Sequence, residues 1–131
     1  MINNMTIIPI KSYSNLYENR KLIFKENRNK SGIYRFNNLI NKKSYIGSSI
    51  NLSKRFNVYF SKKAMFNKLK ISKSIIYKAL LKYNHDNFNL EIIEYCEENI
   101  LIEREQYYLD NFQPKYNILK VAKNRLRSKY L

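Results

Sequence analysis

Two glycines in 131 residues leave a chain few places where the backbone can take positive φ or lie against a neighbouring strand without a side chain between. Both fall in one stretch, Gly32-Ile33-Tyr34 to Tyr45-Ile46-Gly47, at mirrored positions. Asn, Lys, Ile and Tyr are used heavily, as AT-rich codons produce, and glycine codons are disfavoured in that background. Retained here, the two glycines mark backbone sites that tolerate no side chain, for a turn or for close approach. Between them Ile33-Tyr34-Arg35-Phe36 and Ser44-Tyr45-Ile46 are short β-branched or aromatic runs, separated by Asn37 to Lys43 with turn-forming asparagines. That pattern predicts a β-hairpin. Antiparallel pairing would bring the phenols of Tyr34 and Tyr45 together at one end of it.

The first 30 residues read as a leader or linker, with an extended piece at Ile7 to Ile10 and a short helix over Leu16 to Phe24. After the hairpin, Asn51 is placed to cap a helix from Leu52 to about Phe60, with Leu52, Phe56, Tyr59 and Phe60 on its apolar stripe. Arg55 and Tyr59, four apart, are neighbours on that helix. A basic stretch follows, carrying Lys62, Lys63, Lys68, Lys70 and Lys73, which suits phosphate contacts, a merely solvated loop being the alternative. Ser72 or Ser74 opens a packing helix, Asn84 to Asn87 breaks it, and Phe88 to Tyr95 reads as a third strand. His85 in that break is expected to be a bystander. Asn99 is placed to cap the last helix, Ile100 to about Asn111; Gln113-Pro114 then turns the chain, and Lys120 to Lys129 forms a basic tail.

The last helix carries an anomaly. Glu105 lies four after Leu101, three after Ile102, three before Tyr108 and four before Leu109, which sets a carboxylate in the apolar face. Burying a carboxylate is costly unless it is paired or holds a cation. A salt bridge, with Arg55 for instance, would meet that cost; a metal site would too, and is the preferred reading.

Composition limits the chemistry. The length suits one domain, and 44% hydrophobic with 27% charged residues supports a modest core. A net charge of +15 and a pI near 9.9 point to a polyanionic partner, nucleic acid first. Cys96 and His85 are each the sole residue of their type, which excludes an intramolecular disulfide, a zinc finger and a His-Asn-His nuclease centre. Hydrolytic chemistry must be built from Tyr, Arg, Lys, Asp and Glu. No apolar run reaches the roughly 18 residues of a membrane span. Glu18 and Glu26 make the start a poor transit peptide. The protein is expected to stay where it is made, or to be made in an organelle with its own AT-rich genome.

Gly32-Ile33-Tyr34, Tyr45-Ile46-Gly47-Ser48, Arg55, the run Ile102 to Tyr108, and Pro114-Lys115-Tyr116-Asn117-Ile118 together resemble the GIY-YIG nuclease family, most closely the homing endonucleases of fungal mitochondrial introns. The resemblance covers about residues 31–119, which leaves 1–30 as leader and 120–131 as tail. It implies an α/β (α+β) domain, a small three-stranded antiparallel sheet flanked by three or more helices. It implies an endonuclease acting on double-stranded DNA with one Mg2+ or Mn2+ per active site, located in the mitochondrion, with neither membrane nor protein partner. Carried over, Tyr34 and Tyr45 match the motif tyrosines, Arg55 the arginine at the scissile phosphate, Glu105 the metal ligand and Asn117 the supporting asparagine. Tyr59 stands where many members have histidine. Gly32 and Gly47 are the motif glycines, and Lys54, Lys62 and Lys63 are assigned to phosphate. Either Tyr34 or Tyr45 can serve as the general base, Tyr34 being preferred, with its pKa lowered by Arg55 and the metal. The chain's end at Leu131 leads to the expectation of a catalytic module with little sequence-recognition segment; the alternative is a catalytically decayed protein binding intron RNA or DNA.

Overall fold

A computed structural model of the chain describes residues 5–118, so the tail at Lys120 to Lys129 lies outside the described residues. Strands β1 (Lys11–Tyr13), β2 (Gly32–Asn38), β3 (Ser44–Ser49) and β4 (Phe88–Tyr95) form one antiparallel sheet in the order β1-β4-β2-β3. The sheet thus has four strands, not the three expected. The added strand comes from the N-terminal segment, where Pro9 has no N–H for a ladder and pairing begins with Ile10 N donating to Ile92 O at 2.9 Å. Helix α1 (Arg20–Glu26) starts later than Leu16, and Leu16 and Ile23 are wholly buried. Asn27 ties this segment to the sheet: its side-chain amide donates to Ile23 O and Tyr13 Oη and accepts from Tyr95 Oη at 2.7 Å.

The hairpin forms in the register Tyr34↔Gly47 and Phe36↔Tyr45. Asn38 organises its turn, its Oδ1 accepting from the backbone N–H of Ile40 at 2.8 Å. Neither glycine takes positive φ; both serve close approach. A Cβ on Gly32 would collide with the Glu94 carbonyl oxygen and meet Leu52 Cδ1 at 3.2 Å. On the other side of β2, its register with β4 shifts between Ile33 and Tyr34, a bulge within the first motif.

Period-2 alternation gives the sheet two cores. Tyr34, Phe36, Leu90 and Ile92 face α2 (Leu52–Tyr59), α3 (Lys62–Leu69) and α4 (Ile75–Tyr83), and pack with Phe56, Tyr59, Met65, Ile76 and Leu80. Ile33, Ile46 and Ile93 face α5 (Leu101–Phe112), with Leu101, Tyr108 and Leu109. Asn51 caps α2 as expected, accepting from Lys54 N, and Ser74 caps α4. The basic stretch after α2 is a helix rather than a loop: Ser61 Oγ accepts from Ala64 N, and Met65 anchors it in the core. Asn99 does not cap α5; a single 3-10 turn, Glu98–Ile100, leads into it and no side chain caps the helix. At its far end Gln113 is left-handed (φ 44°), and Pro114 prevents continuation. None of the helices is long and apolar enough to cross a membrane, among the described residues.

His85 is structural, as anticipated. It opens the turn before β4, its Nε2–H donates to the Tyr59 carbonyl at 2.7 Å, and its ring stacks on Phe60. Burial lowers its pKa below the ordinary imidazole value, with Lys62 adding to the effect.

Two outcomes follow for stability. Gly32→Ala forces β2 away from β4 and is expected to cost about 1–3 kcal/mol, read as a lower urea midpoint. Because native His85 favours its neutral form, its contribution is present above pH 6.5, the ordinary imidazole value, and is lost as pH falls through the lowered native value. His85→Gln should flatten that part of a urea-midpoint-against-pH curve.

Candidate active site

The absence of a side chain at Gly47 creates the site. A Cβ there would lie 2.6 Å from Tyr34 Cζ and 2.9 Å from Tyr45 Cε2, so the Tyr34 ring lies across the strand at that residue. Tyr34 is wholly buried, edge-on to Phe56, with its ring 6.3 Å from that of Tyr45. Its hydroxyl sits 2.6 Å from Tyr59 Oη. Tyr59, also wholly buried, thereby joins the first motif tyrosine to α2.

Arg55, on the same helix, donates from Nε to Tyr34 Oη at 3.5 Å. Its guanidinium lies 5.1 Å from the Tyr59 ring and 5.9 Å from that of Tyr77. Burial opposes the charge, but Tyr59, Tyr34, Tyr77 and Tyr45 outweigh it and hold Arg55 protonated. It forms no ion pair among the described residues, so the salt bridge to Glu105 that the sequence allowed is not made. Tyr77 escaped the sequence reading. On a helical wheel it falls beside the Ile76–Leu80 stripe, and only the packing of α4 on α2 turns it toward Arg55.

Tyr34 departs from expectation in its acidity. Burial pushes its pKa up to about 12, although Arg55 and the Tyr59 hydrogen bond pull the other way. Burial raises Tyr59 and Tyr77 as well. Burial thus favours the neutral form of the Tyr34 phenol, with Arg55 alone not reversing it. Tyr45, also buried at 9% exposure, is the least enclosed of the Tyr34–Tyr59–Tyr45 set.

Glu105 and Asn117 approach from elsewhere. Glu105 is 2% exposed on α5, as its spacing predicted. That helix covers the face opposite Tyr34, and it lies chiefly along β3, the edge strand. Glu105 is thus brought to β3 from the α5 layer, and the tyrosines from the layer of α2 to α4. Residues 45–47 of β3 point alternately to the two faces, so the site straddles a strand edge. Asn117 is fixed at that edge: its Oδ1 accepts from Ile46 N at 3.0 Å and its Nδ2 donates to Ile46 O at 2.8 Å. With Tyr116 N donating to Ser44 O, it closes the open side of β3. Lys54, Lys62 and Lys63 are exposed; Lys54 lines a cleft with Arg28 and Asn57 between α1 and α2.

No three His, Cys, Asp or Glu side chains gather as a metal cage among the described residues. Glu105 alone would offer a cation one carboxylate, leaving its other ligands to water and phosphate. That donor set suits magnesium or manganese, which keep several waters, and does not suit zinc.

Comparison with known proteins places this arrangement. Residues 30–117 match the family described as the GIY-YIG catalytic domain. Intron-associated endonuclease 1 of Enterobacteria phage T4 is 31% identical over 98 residues, 71% of this chain and 37% of that protein. Probable intron-encoded endonuclease 1 of Neurospora crassa is 31% identical over 136 residues, covering 94% of this chain and 42% of its own length. The chain therefore spans less than half the length of these curated relatives. Among solved structures, the catalytic domain of the homing endonuclease I-TevI superposes with a TM-score of 0.54 at 29% identity, covering 69% of this chain and 99% of that domain. A point-mutant form of it gives 0.55 at 28% identity, covering 70% and 96%. With the motif glycines, the two tyrosines and the arginine in one cluster and residues 30–117 matched throughout, this chain belongs to the GIY-YIG family.

Proposed function

We propose that the chain is the catalytic part of an intron-encoded homing endonuclease, hydrolysing phosphodiester bonds of double-stranded DNA with one Mg2+ or Mn2+. One observation carries this reading: a guanidinium held among four phenols with no carboxylate against it among the described residues, so that its charge remains available to an incoming anion. A phosphodiester supplies that anion, and a guanidinium fork can grip two of its non-bridging oxygens. The likeness to intron endonucleases supports the same substrate, and the AT-rich residue usage supports manufacture within a mitochondrion.

The labour divides by burial. Arg55 steadies the negative charge that builds on phosphorus, and Tyr34 with Tyr59 fixes where Arg55 can sit. Tyr45, the least enclosed of these phenols, takes the proton of the attacking water; its ionised oxygen and the Arg55 charge attract each other. The water oxygen bonds to phosphorus, the bond to the 3′ oxygen breaks, and the leaving oxygen is protonated from solvent. Glu105 would hold the cation, which when bound supplies Lewis-acid stabilisation of that oxygen. Asn117 keeps the edge of β3, and so Tyr45, in register.

Plasmid nicking with magnesium tests the assignment. Arg55→Lys keeps the charge but loses the fork, and is expected to raise the barrier by about 3 kcal/mol, on the order of a hundredfold in single-turnover rate. Glu105→Gln should lose magnesium-dependent nicking while still binding duplex. Equal activity of this variant and the wild type would refute the metal assignment; binding without cleavage by the wild type would identify a decayed nuclease. The two tyrosines separate by the size of the loss: Tyr45→Phe should cost about 10²–10⁴-fold in single-turnover rate, whereas Tyr34→Phe, which only loosens the seat of Arg55, should slow the reaction less.

A further inference from the structure

The charges of this protein are sorted by position. From Asn27 through His85 there is no Asp or Glu, while Lys and Arg recur along the whole stretch. That stretch builds the hairpin and helices α2, α3 and α4, the layer over the tyrosine face. Asp86, Glu91, Glu94, Glu97, Glu98, Glu103, Glu105 and Asp110 follow it, in β4, in α5 and beside them. The hairpin, α2, α3 and α4 thus carry no acidic residue of their own; the nearest acids in that layer are Glu18 and Glu26, on or beside α1, which packs against α2.

Within that layer α3 has an unusual exposed side. Met65 points into the core, but Phe66 is 57% exposed. Lys62 and Lys70 stand four residues before and after it, on the same face, and Lys63 is adjacent on the wheel; all three are exposed. Ile71, at the turn after the helix, is 90% exposed. A phenylalanine with cations a turn away on either side is poorly suited to bare solvent and well suited to nucleic acid, where lysines meet phosphates and the ring meets bases. Lys62 and Lys70 are about 12 Å apart along the helix axis. Side chains at that separation can meet phosphates on both sides of a minor groove about 6 Å wide, with the residue between them aimed at the base step.

Resting on the reading of the chain as a DNA nuclease, we propose that α3 is a duplex-docking element in which Lys62 and Lys70 contact the phosphates bordering the minor groove and Phe66 wedges against a base step. This gives the protein a grip on DNA outside the phenol–arginine centre, made by side chains that take no part in hydrolysis.

The test is binding without cleavage: fluorescence anisotropy of a labelled duplex in EDTA, at several salt concentrations, on the full chain. Lys62→Ala with Lys70→Ala should weaken binding and reduce the slope of log affinity against log salt by nearly two. Phe66→Ala should weaken binding about five- to tenfold with the slope unchanged, and should remove the fluorescence rise of a 2-aminopurine placed at the contacted step. Thermal melting checks that the exposed substitutions leave the fold intact, and Phe66→Leu, which keeps an apolar wedge, should retain most of the affinity. Wild-type affinity and slope in these variants would overturn the proposal even if the protein cleaves DNA. So would a Phe66→Ala defect confined to vesicles of phosphatidylserine and phosphatidylcholine, with duplex binding unaltered. A wild type that binds duplex through these residues but never cleaves would support the docking element while refuting the nuclease assignment.

Discussion

A phenol ring lying over a bare backbone is the contact on which the rest of the site depends. Gly47 gives Tyr34 room to cross β3, and in that position its hydroxyl meets Tyr59 and Arg55 from α2. Any side chain at residue 47 would displace the ring, and with it the surface that holds the guanidinium. The sheet thus positions the helix cation through a phenol, without an ion pair. Tyr59 and Tyr77 complete the enclosure, and burial keeps these phenols neutral. A charge held by dipoles and ring faces retains more of its field for a substrate than one already neutralised by a carboxylate.

The acidic residue belongs to the other layer. Helix α5 is bound to β4 by Arg104, whose Nε donates to Glu94 Oε1 at 2.6 Å, and by Tyr108, whose hydroxyl donates to Glu94 Oε2 at 2.9 Å. The hydrogen bonds from Arg104 and Tyr108 outweigh burial and hold Glu94 below the usual carboxylate range. This anchor fixes α5, and Glu105 with it, along the edge strand. Asn117 then seals that edge. The outcome is a site assembled in two halves about β3: cation and phenols from α2 and the hairpin, carboxylate from α5.

Much of this was legible because local physics and tertiary packing agreed. The glycines marked close approach, Asn51 capped its helix, Phe88–Tyr95 paired as a strand, and the apolar spacing around Glu105 reported its burial. The failures arose where the deciding contact is distant in sequence. The strand Lys11–Tyr13 carries little β pattern of its own and exists because β4 has an open edge. The helix Lys62–Leu69 is so basic that it reads as loop, and one buried methionine holds it. Tyr77 became part of the site only through helix packing. The side of the sheet reached by Glu105 could not be read from spacing, because the period of a helix gives its buried face and not the layer it joins. The acidity of Tyr34 was read from Arg55 and a bound cation together, and burial, which spacing does not report, opposes Arg55 there.

The central claim is that these two halves act on one phosphodiester. Anomalous scattering from manganese, in crystals of the protein with a non-hydrolysable phosphorothioate duplex, tests it most directly. The account predicts a manganese peak within coordination distance of the Glu105 carboxylate and a backbone phosphate forked by Arg55 in the same complex. Manganese bound elsewhere, or a duplex whose phosphates avoid Arg55, would contradict it.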